Sequence, residues 1–119
     1  MTSQDAATPL TPLSMAILLA LAEGDRHGYA LMQDIEEQTD GALKPGTGSL
    51  YAGLQRLMSD GLIEESDGEE GADRRRRYYA ITDAGRAKAS AEAERMIRVL
   101  DVAAKRRLVP GTRPALEQK

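Results

Sequence analysis

The sequence predicts a mainly helical α+β domain in which three helices are followed by a β-hairpin and a long final helix. The chain has 119 residues, 41% of them hydrophobic, which is enough for one modest core. Its aromatic residues are four Tyr, with no Phe and no Trp, so the core must be built from aliphatic side chains, which suit helices better than sheets. Apolar residues recur at helical spacing along the chain except in residues 62–81, which read as two short strands.

The first two helices are predicted from their start signals and apolar positions. After a tail at residues 1–9, Thr11 and Pro12 resemble an N-cap and a first helical residue, and the helix runs to about Ala22. It is apolar nearly all round, so we expect burial on more than one side, one of which is a candidate for contact with a second subunit. The second helix covers about residues 28–39, and His27 before it is expected to cap or pack.

The third predicted helix, about residues 49–60 with Thr47 or Ser49 as its cap, has two distinct faces. One face is apolar and is made of Leu50, Gly53, Leu54, Leu57 and Met58. The opposite face carries Ala52, Gln55, Arg56 and Ser59, with Tyr51 at the border. Such a helix can be held by one face and present the other to a partner.

A hairpin and a long helix complete the predicted domain. Residues 62–66 and 77–81 are expected to pair across an acidic, glycine-rich turn. Thr82 then caps a helix at about residues 83–107, followed by a loose tail at 109–119. Apolar residues at spacings of three and four predict a dimer seam along this helix: Ala93, Met96, Ile97, Leu100, Ala103 and Ala104. The stripe is also compatible with a ligand cavity if the seam leaves one.

This order of elements is that of a winged helix-turn-helix, predicted here over residues 10–82, with residues 83–108 as a dimerisation helix. The third helix would enter the DNA major groove, where Gln55 pairs with adenine and Arg56 with guanine. Lys44, Thr47 and Ser49 lie at the end of that helix that attracts phosphate. The hairpin, or wing, carries four consecutive arginines that we expect to alternate sides and reach phosphates: Arg74, Arg75, Arg76 and Arg77.

Composition excludes several other classes of protein. The chain has no Cys and a single His, so we expect no disulfide, no metal site, no cofactor and no enzyme activity. No signal peptide is visible, and the longest apolar stretch, residues 15–22, is too short to span a bilayer, so a cytoplasmic protein is expected. The net charge of −3 and the acidic wing tip, Glu69 and Glu70, keep one alternative open: a winged-helix module that binds protein and not DNA.

Four segments resemble the PadR family of transcriptional regulators. They are LTPLSMAILLAL (10–21), HGYALMQDIEE (27–37), GTGSLYAGLQRLMSDGLIEE (46–65) and RRRYYAITDAGR (75–86). The resemblance implies a homodimeric regulator of double-stranded DNA, usually a repressor, released by a small molecule or another signal. It places Tyr29, Ser49 and Tyr51 near the DNA backbone. The short chain after the wing looks like the smaller subtype, with a single C-terminal dimerisation helix.

In such a dimer the final helix would be joined by Leu13 and Ile17 of the apolar first helix. The two third helices would then reach successive major grooves, so an inverted-repeat operator is expected. A small-molecule inducer would bind at or near the dimer interface.

Overall fold

The computed structural model describes residues 8–110, and the elements in this range follow the predicted order of a winged helix-turn-helix. The helices and strands are α1 (Pro12–Ala22), β1 (Arg26–His27), α2 (Gly28–Gln38), α3 (Thr47–Ser59), β2 (Ile63–Ser66), β3 (Tyr78–Ile81) and α4 (Asp83–Lys105). The mainly helical α+β fold class is confirmed. The predicted tails at 1–9 and 109–119 lie mostly outside the described residues.

Helix α1 is the centre of the core. It begins as predicted, with the Thr11 hydroxyl accepting a hydrogen bond from the Ser14 N–H at 3.1 Å and Pro12 in the first turn. Helices α2 and α3 and strand β3 all pack against it, which confirms its burial on more than one side. Ile17 is therefore fully buried inside its own domain. This corrects its predicted place in a dimer interface, because it has no surface left for a second subunit.

Helix α3 buries the leucines of the apolar face that its periodicity predicts, and α2 also packs apolar side chains into the core. Leu31 and Ile35 of α2 are fully buried, as are the α3 leucines Leu50, Leu54 and Leu57. The predicted cap of α3 is wrong, since the helix begins at Thr47 and its N-cap is Gly46. Glycine has no side chain, so this N-cap makes no side-chain hydrogen bond to the helix. The Thr47 and Ser49 hydroxyls are consequently not used as caps.

The sheet has three strands in the described residues, not the two that were predicted. Its order is β1-β3-β2, and both neighbours pair antiparallel with β3. In the register, Tyr79 lies between Arg26 on one side and Glu65 on the other. Tyr79 is almost fully buried and packs into the same core as α1. The sheet thus joins the wing to the helices through one buried aromatic side chain.

The first two turns of α4 belong to the same compact unit as the wing, which extends to Ala89. The Thr82 hydroxyl accepts from the Gly85 N–H at 3.0 Å and donates to the Gly61 carbonyl at 2.7 Å, so the predicted cap is confirmed. A methyl group at Gly85 would overlap the Leu62 carbonyl oxygen. The start of α4 therefore needs glycine for its close approach to the chain entering β2.

A second compact unit begins at Ser90 and contains the rest of α4. Within it, Arg95 and Glu92 form an ion pair at 2.6 Å, one turn apart. Large apolar side chains are exposed along this part of the helix: Met96, Ile97, Val99, Leu100 and Val102. Among the described residues, no helix is both long and apolar enough to cross a membrane.

Candidate nucleic-acid interface

The outer face of α3 is polar and exposed. Gln55 and Arg56 are exposed, and neither forms a hydrogen bond or ion pair with another described residue. Thr47 and Ser49 are exposed in the first turn, where the N–H groups of a helix point outward. The inner face is held by buried leucines, so this surface is rigidly supported and chemically available.

Tyr51 connects α3 to the beginning of α2. Its side chain is 41% exposed, and its hydroxyl lies so close to Gly28 that a methyl group there would overlap it. Tyr29, one residue further on, is also exposed, and its hydroxyl accepts from the Gln33 amide at 3.4 Å. Two tyrosine hydroxyls and one amide are thus presented near the N-terminus of α2, where anions are favoured.

His27 caps α2 and also contacts the wing. Its Nδ1 accepts a hydrogen bond from the Ala30 N–H at 3.2 Å, which confirms the predicted capping role. Arg76 Nη1 lies 3.2 Å from the same Nδ1, and the Tyr78 ring meets the imidazole edge-on at a centroid distance of 5.4 Å. Burial, followed by the Arg76 charge, lowers the pKa of His27, and Asp73 opposes that shift. The ring is therefore a neutral acceptor at pH 7.

The four wing arginines do not alternate along a strand as predicted. Strand β3 begins only at Tyr78, so Arg74–Arg77 occupy the preceding turn. The turn is set by Asp73, whose carboxylate accepts from the Arg75 N–H at 3.0 Å and whose carbonyl accepts from the Arg76 N–H at 3.0 Å. This local hydrogen bonding replaces the extended backbone on which alternation depends.

Three of these arginines have carboxylate neighbours. Arg75 and Arg76 share Asp73, with nitrogen–oxygen distances of 3.2 and 3.8 Å, and Arg77 lies 3.5 Å from Glu65. Arg74 is exposed and has no ion pair with another described residue. The wing therefore presents less free positive charge than its sequence suggests.

The acidic wing tip folds back on the chain between α1 and β1. Glu69 accepts a hydrogen bond from the Asp25 N–H at 3.3 Å. Ser66 donates to the Asp25 carboxylate at 2.6 Å and accepts from the Gly68 N–H at 3.0 Å. Glu69 is thus occupied within the protein, whereas Glu70 is exposed on the surface.

Lys44 is separated from the other candidates by its surroundings. Its ammonium lies 3.7 Å from the Glu36 carboxylate, in a depression also lined by Glu37 and Asp40. These acids weaken any attraction between Lys44 and a phosphate. Among the described residues, no cluster of His or acidic side chains could hold a metal ion.

Two residues at this surface carry signals that the sequence-based prediction did not use. Asp73 directly precedes the arginine run, and an aspartate two residues before a donor N–H is a common turn signal. Gln33 lies four residues after Tyr29, so helical spacing alone puts both on one exposed face of α2. Gly28, by contrast, reveals its contact with Tyr51 only in three dimensions.

Comparison with known proteins identifies the family. Residues 17–91 match the family model described as "Transcriptional regulator PadR-like family". The chain belongs to the PadR-like family. It is therefore a transcriptional regulator and not an enzyme, and the alternative of a protein-binding module is not favoured.

Two relatives are similar to this PadR-like regulator over more than half of each chain. Protein X of Lysinibacillus sphaericus is 36% identical over 75 residues, which are 63% of this chain and 69% of that relative. A transcriptional regulator from Clostridium thermocellum is 31% identical with a TM-score of 0.65, covering 78% of this chain and 87% of the other.

One solved relative is bound to DNA. Bacillus subtilis PadR, whose structure contains operator DNA, is similar in fold, with 23% identity and a TM-score of 0.57. The match covers 68% of this chain but 46% of that regulator, so the shared part is about half of its length.

Proposed function

We propose that this PadR-like regulator is a repressor that binds an inverted-repeat operator as a homodimer and releases it in response to a small molecule or another signal. The observation that carries the proposal is the division of α3 into two faces. One is made of buried leucines, and the other is polar and exposes Gln55 and Arg56, which have no partner in the described part of the chain. A helix of this kind fits the major groove, where Gln pairs with adenine and Arg with guanine. Because such a regulator acts on DNA, we propose that it works in the cytoplasm.

Phosphate contacts are proposed around the α3 face. Thr47 and Ser49 are exposed at its N-terminus, and Tyr29 and Tyr51 present hydroxyls at the beginning of α2. On the wing, Arg74 is the arginine with the most available charge, and Arg75, Arg76 and Arg77 would have to exchange a carboxylate for a phosphate. Lys44 is the weakest candidate in this set because of its acidic neighbours.

The proposed dimer uses the apolar stripe of α4. Met96, Ile97 and Leu100 are each about 40% exposed although they are large and apolar. Ala93 precedes them and Ala103 and Ala104 follow them on the same face of the helix. Two copies of this stripe can bury each other about a two-fold axis. Leu13 of α1, which the sequence also predicts at a dimer interface, is partly exposed. An inducer at or near this interface would change the spacing of the two recognition helices.

The test is the pair Gln55→Ala and Arg56→Ala, measured on an operator selected from a random DNA library and on a scrambled duplex of equal length. Loss of a base contact should weaken operator binding by about 1–3 kcal/mol and leave scrambled DNA nearly unaffected. Ser90→Ala is the matched control, since Ser90 is exposed on α4, outside the α3 face that is proposed to read bases. Equal losses on both duplexes would contradict direct reading of bases.

A further inference from the structure

The carboxylate of Asp73 holds two of the wing arginines at once. Arg75 donates from Nε to Oδ1 at 3.2 Å and from Nη2 to Oδ2 at 3.3 Å, which is a two-pronged contact. Arg76 Nε lies 3.8 Å from Oδ2. Both guanidinium groups remain open to solvent, with 90% of the Arg75 side chain and 48% of the Arg76 side chain exposed.

This contact uses the donors that a DNA phosphate would need. Guanidinium groups bind carboxylates and phosphates through the same planar pair of N–H groups. Hydrogen bonds from Arg75, side chain first and then backbone, lower the pKa of Asp73, so the carboxylate is ionised throughout the neutral pH range. Asp73 is thus a permanent intramolecular competitor for phosphate at these two arginines.

Arg74 is an arginine of the same segment whose guanidinium does not contact Asp73. It belongs to the same turn and is exposed, yet it has no ion pair with any other described residue. Arg75 and Arg76 differ from it in having Asp73 within reach, and Arg76 also lies 3.2 Å from His27 Nδ1. Arg74 can contact DNA directly, whereas Arg75 and Arg76 can do so only when a phosphate replaces the Asp73 carboxylate.

We propose that Asp73 is a specificity-determining residue, which lowers the affinity for random DNA more than the affinity for the operator. A complex on random DNA is loosely placed, so phosphates rarely align well enough to replace Asp73. On the operator, base contacts from α3 fix the position of the wing and allow the exchange. The inference rests on the proposed wing–phosphate contact and adds a penalty that falls mainly on wrong sites.

The test replaces the charge but keeps the turn. Asp73→Asn retains an oxygen that can accept from the Arg75 N–H and removes the carboxylate that neutralises the arginines. The matched control is Asp67→Asn, which removes the same charge from the same wing at an exposed residue with no partner among those described. Binding to operator and scrambled duplexes is measured from 50 to 200 mM KCl.

Each guanidinium that is freed to bind a phosphate should make the slope of log K against log salt concentration more negative by about 0.9. The affinity at 0.1 M salt should rise about eightfold for each such contact. We expect Asp73→Asn to gain about eightfold or more on scrambled DNA and clearly less on the operator, so that discrimination falls. Asp67→Asn should gain less than about threefold on both duplexes with an unchanged slope. Asp73→Ser, whose hydroxyl also accepts in a turn, is measured in parallel and should behave as Asp73→Asn does.

Equal behaviour of Asp73→Asn and Asp67→Asn, or an equal gain on both duplexes, would overturn the inference. Failure of the underlying wing contact looks different and is detected by Arg74→Ala in the natural sequence. If Arg74→Ala lowers the salt slope by about one, the wing binds phosphate whatever Asp73 does. An unchanged slope in Arg74→Ala and in Asp73→Asn would remove the wing from the DNA interface and the inference with it.

Discussion

His27 is the residue at which the helix-turn-helix and the wing meet. Its Nδ1 accepts from the Ala30 N–H and also lies within reach of Arg76, both at 3.2 Å. An imidazolium has no free lone pair, so protonation would remove the α2 cap and bring two positive charges together. The neutral ring is consequently a condition for this junction, and burial and Arg76 maintain it by lowering the pKa.

We predict that acidification destabilises the protein through His27. Because its pKa is lower in the folded state than the ordinary value near 6.5, the unfolded chain binds the proton more readily. The stability that depends on neutral His27 is therefore complete above about pH 6.5 and is lost as the pH falls below it. Since the chain has one His, a single imidazole resonance in an NMR titration should give a pKa below 6.5.

The control for this prediction is His27→Asn, because Asn is a strong N-cap that does not titrate. Unfolding temperatures are compared at pH 7.5 and pH 5.5, where ordinary carboxylates remain mostly ionised. On acidification, the unfolding temperature of the natural protein should fall further than that of the variant. A parallel decline of both proteins would show that the cap does not depend on the charge of His27.

Among the helices and strands, the sequence predicts those that local patterns determine. The Thr11–Pro12 start of α1 and the buried leucine face of α3 follow from spacing and capping chemistry, and both are confirmed. Strand β1 was missed because two residues, Arg26 and His27, show no periodicity and form a strand only through pairing with β3.

The candidate DNA surface is predictable in part for the same reason. Gln55 and Arg56 lie on the exposed face of α3 that helical spacing assigns to them. The state of the wing arginines could not be read from a strand pattern, because the side chain of Asp73 creates a turn and neutralises its neighbours. A run of arginines therefore indicates where a charged surface lies, whereas the charge available to DNA depends on which arginines pair with carboxylates.

We predict that Gly53→Ala stabilises the recognition helix. Gly53 lies in the middle of α3, and an added methyl group would be 3.4 Å from Ile17 Cδ1 and 3.6 Å from Leu13 Cδ2. These are ordinary contacts, and Ala is about 0.5–1 kcal/mol better than Gly inside a helix. Chemical denaturation should show a rise in unfolding free energy of this size with operator binding unchanged.

The control at this scale is Gly85→Ala, the same change at a glycine that has no room. The methyl group would overlap the backbone carbonyl of Leu62, which cannot move without shifting the chain into β2. We expect a loss of about 1–3 kcal/mol, as for other overpacked sites. If Gly53→Ala destabilised the protein as Gly85→Ala does, α1 and α3 would pack too closely at Gly53 to admit a methyl group, which would contradict the distances given above.

Exposed apolar surface is divided unequally between the two compact units. In the unit that ends at Ala89, α1 is covered by α2, α3 and β3, and Ile17 has no exposed surface. In the unit that begins at Ser90, Met96, Ile97 and Leu100 remain accessible to solvent. Contiguous apolar surface of this kind is typical of an interaction site, and a second copy of the chain is its proposed partner.

The decisive prediction for the dimer is Leu100→Asp. A charge in the centre of a buried seam has no partner and would cost more than a small interface provides, so we expect a monomer at micromolar concentrations. The winged unit does not contain Leu100, so helical circular dichroism should be largely retained. One winged unit makes half of the contacts to an inverted repeat, and operator affinity should fall steeply.

The matched control is Val102→Asp, an equally exposed apolar position on the same helix. At 100° per residue, Val102 is rotated by 200° from Leu100 and therefore points away from the proposed stripe. It should remain a dimer in sedimentation velocity and bind the operator as the natural protein does. A dimeric Leu100→Asp would exclude the proposed stripe, and a monomeric Val102→Asp beside it would assign the interface to the opposite face of α4. That result would also change the expected spacing of the two α3 helices on DNA, because the helix face that meets at the two-fold axis sets the orientation of each subunit.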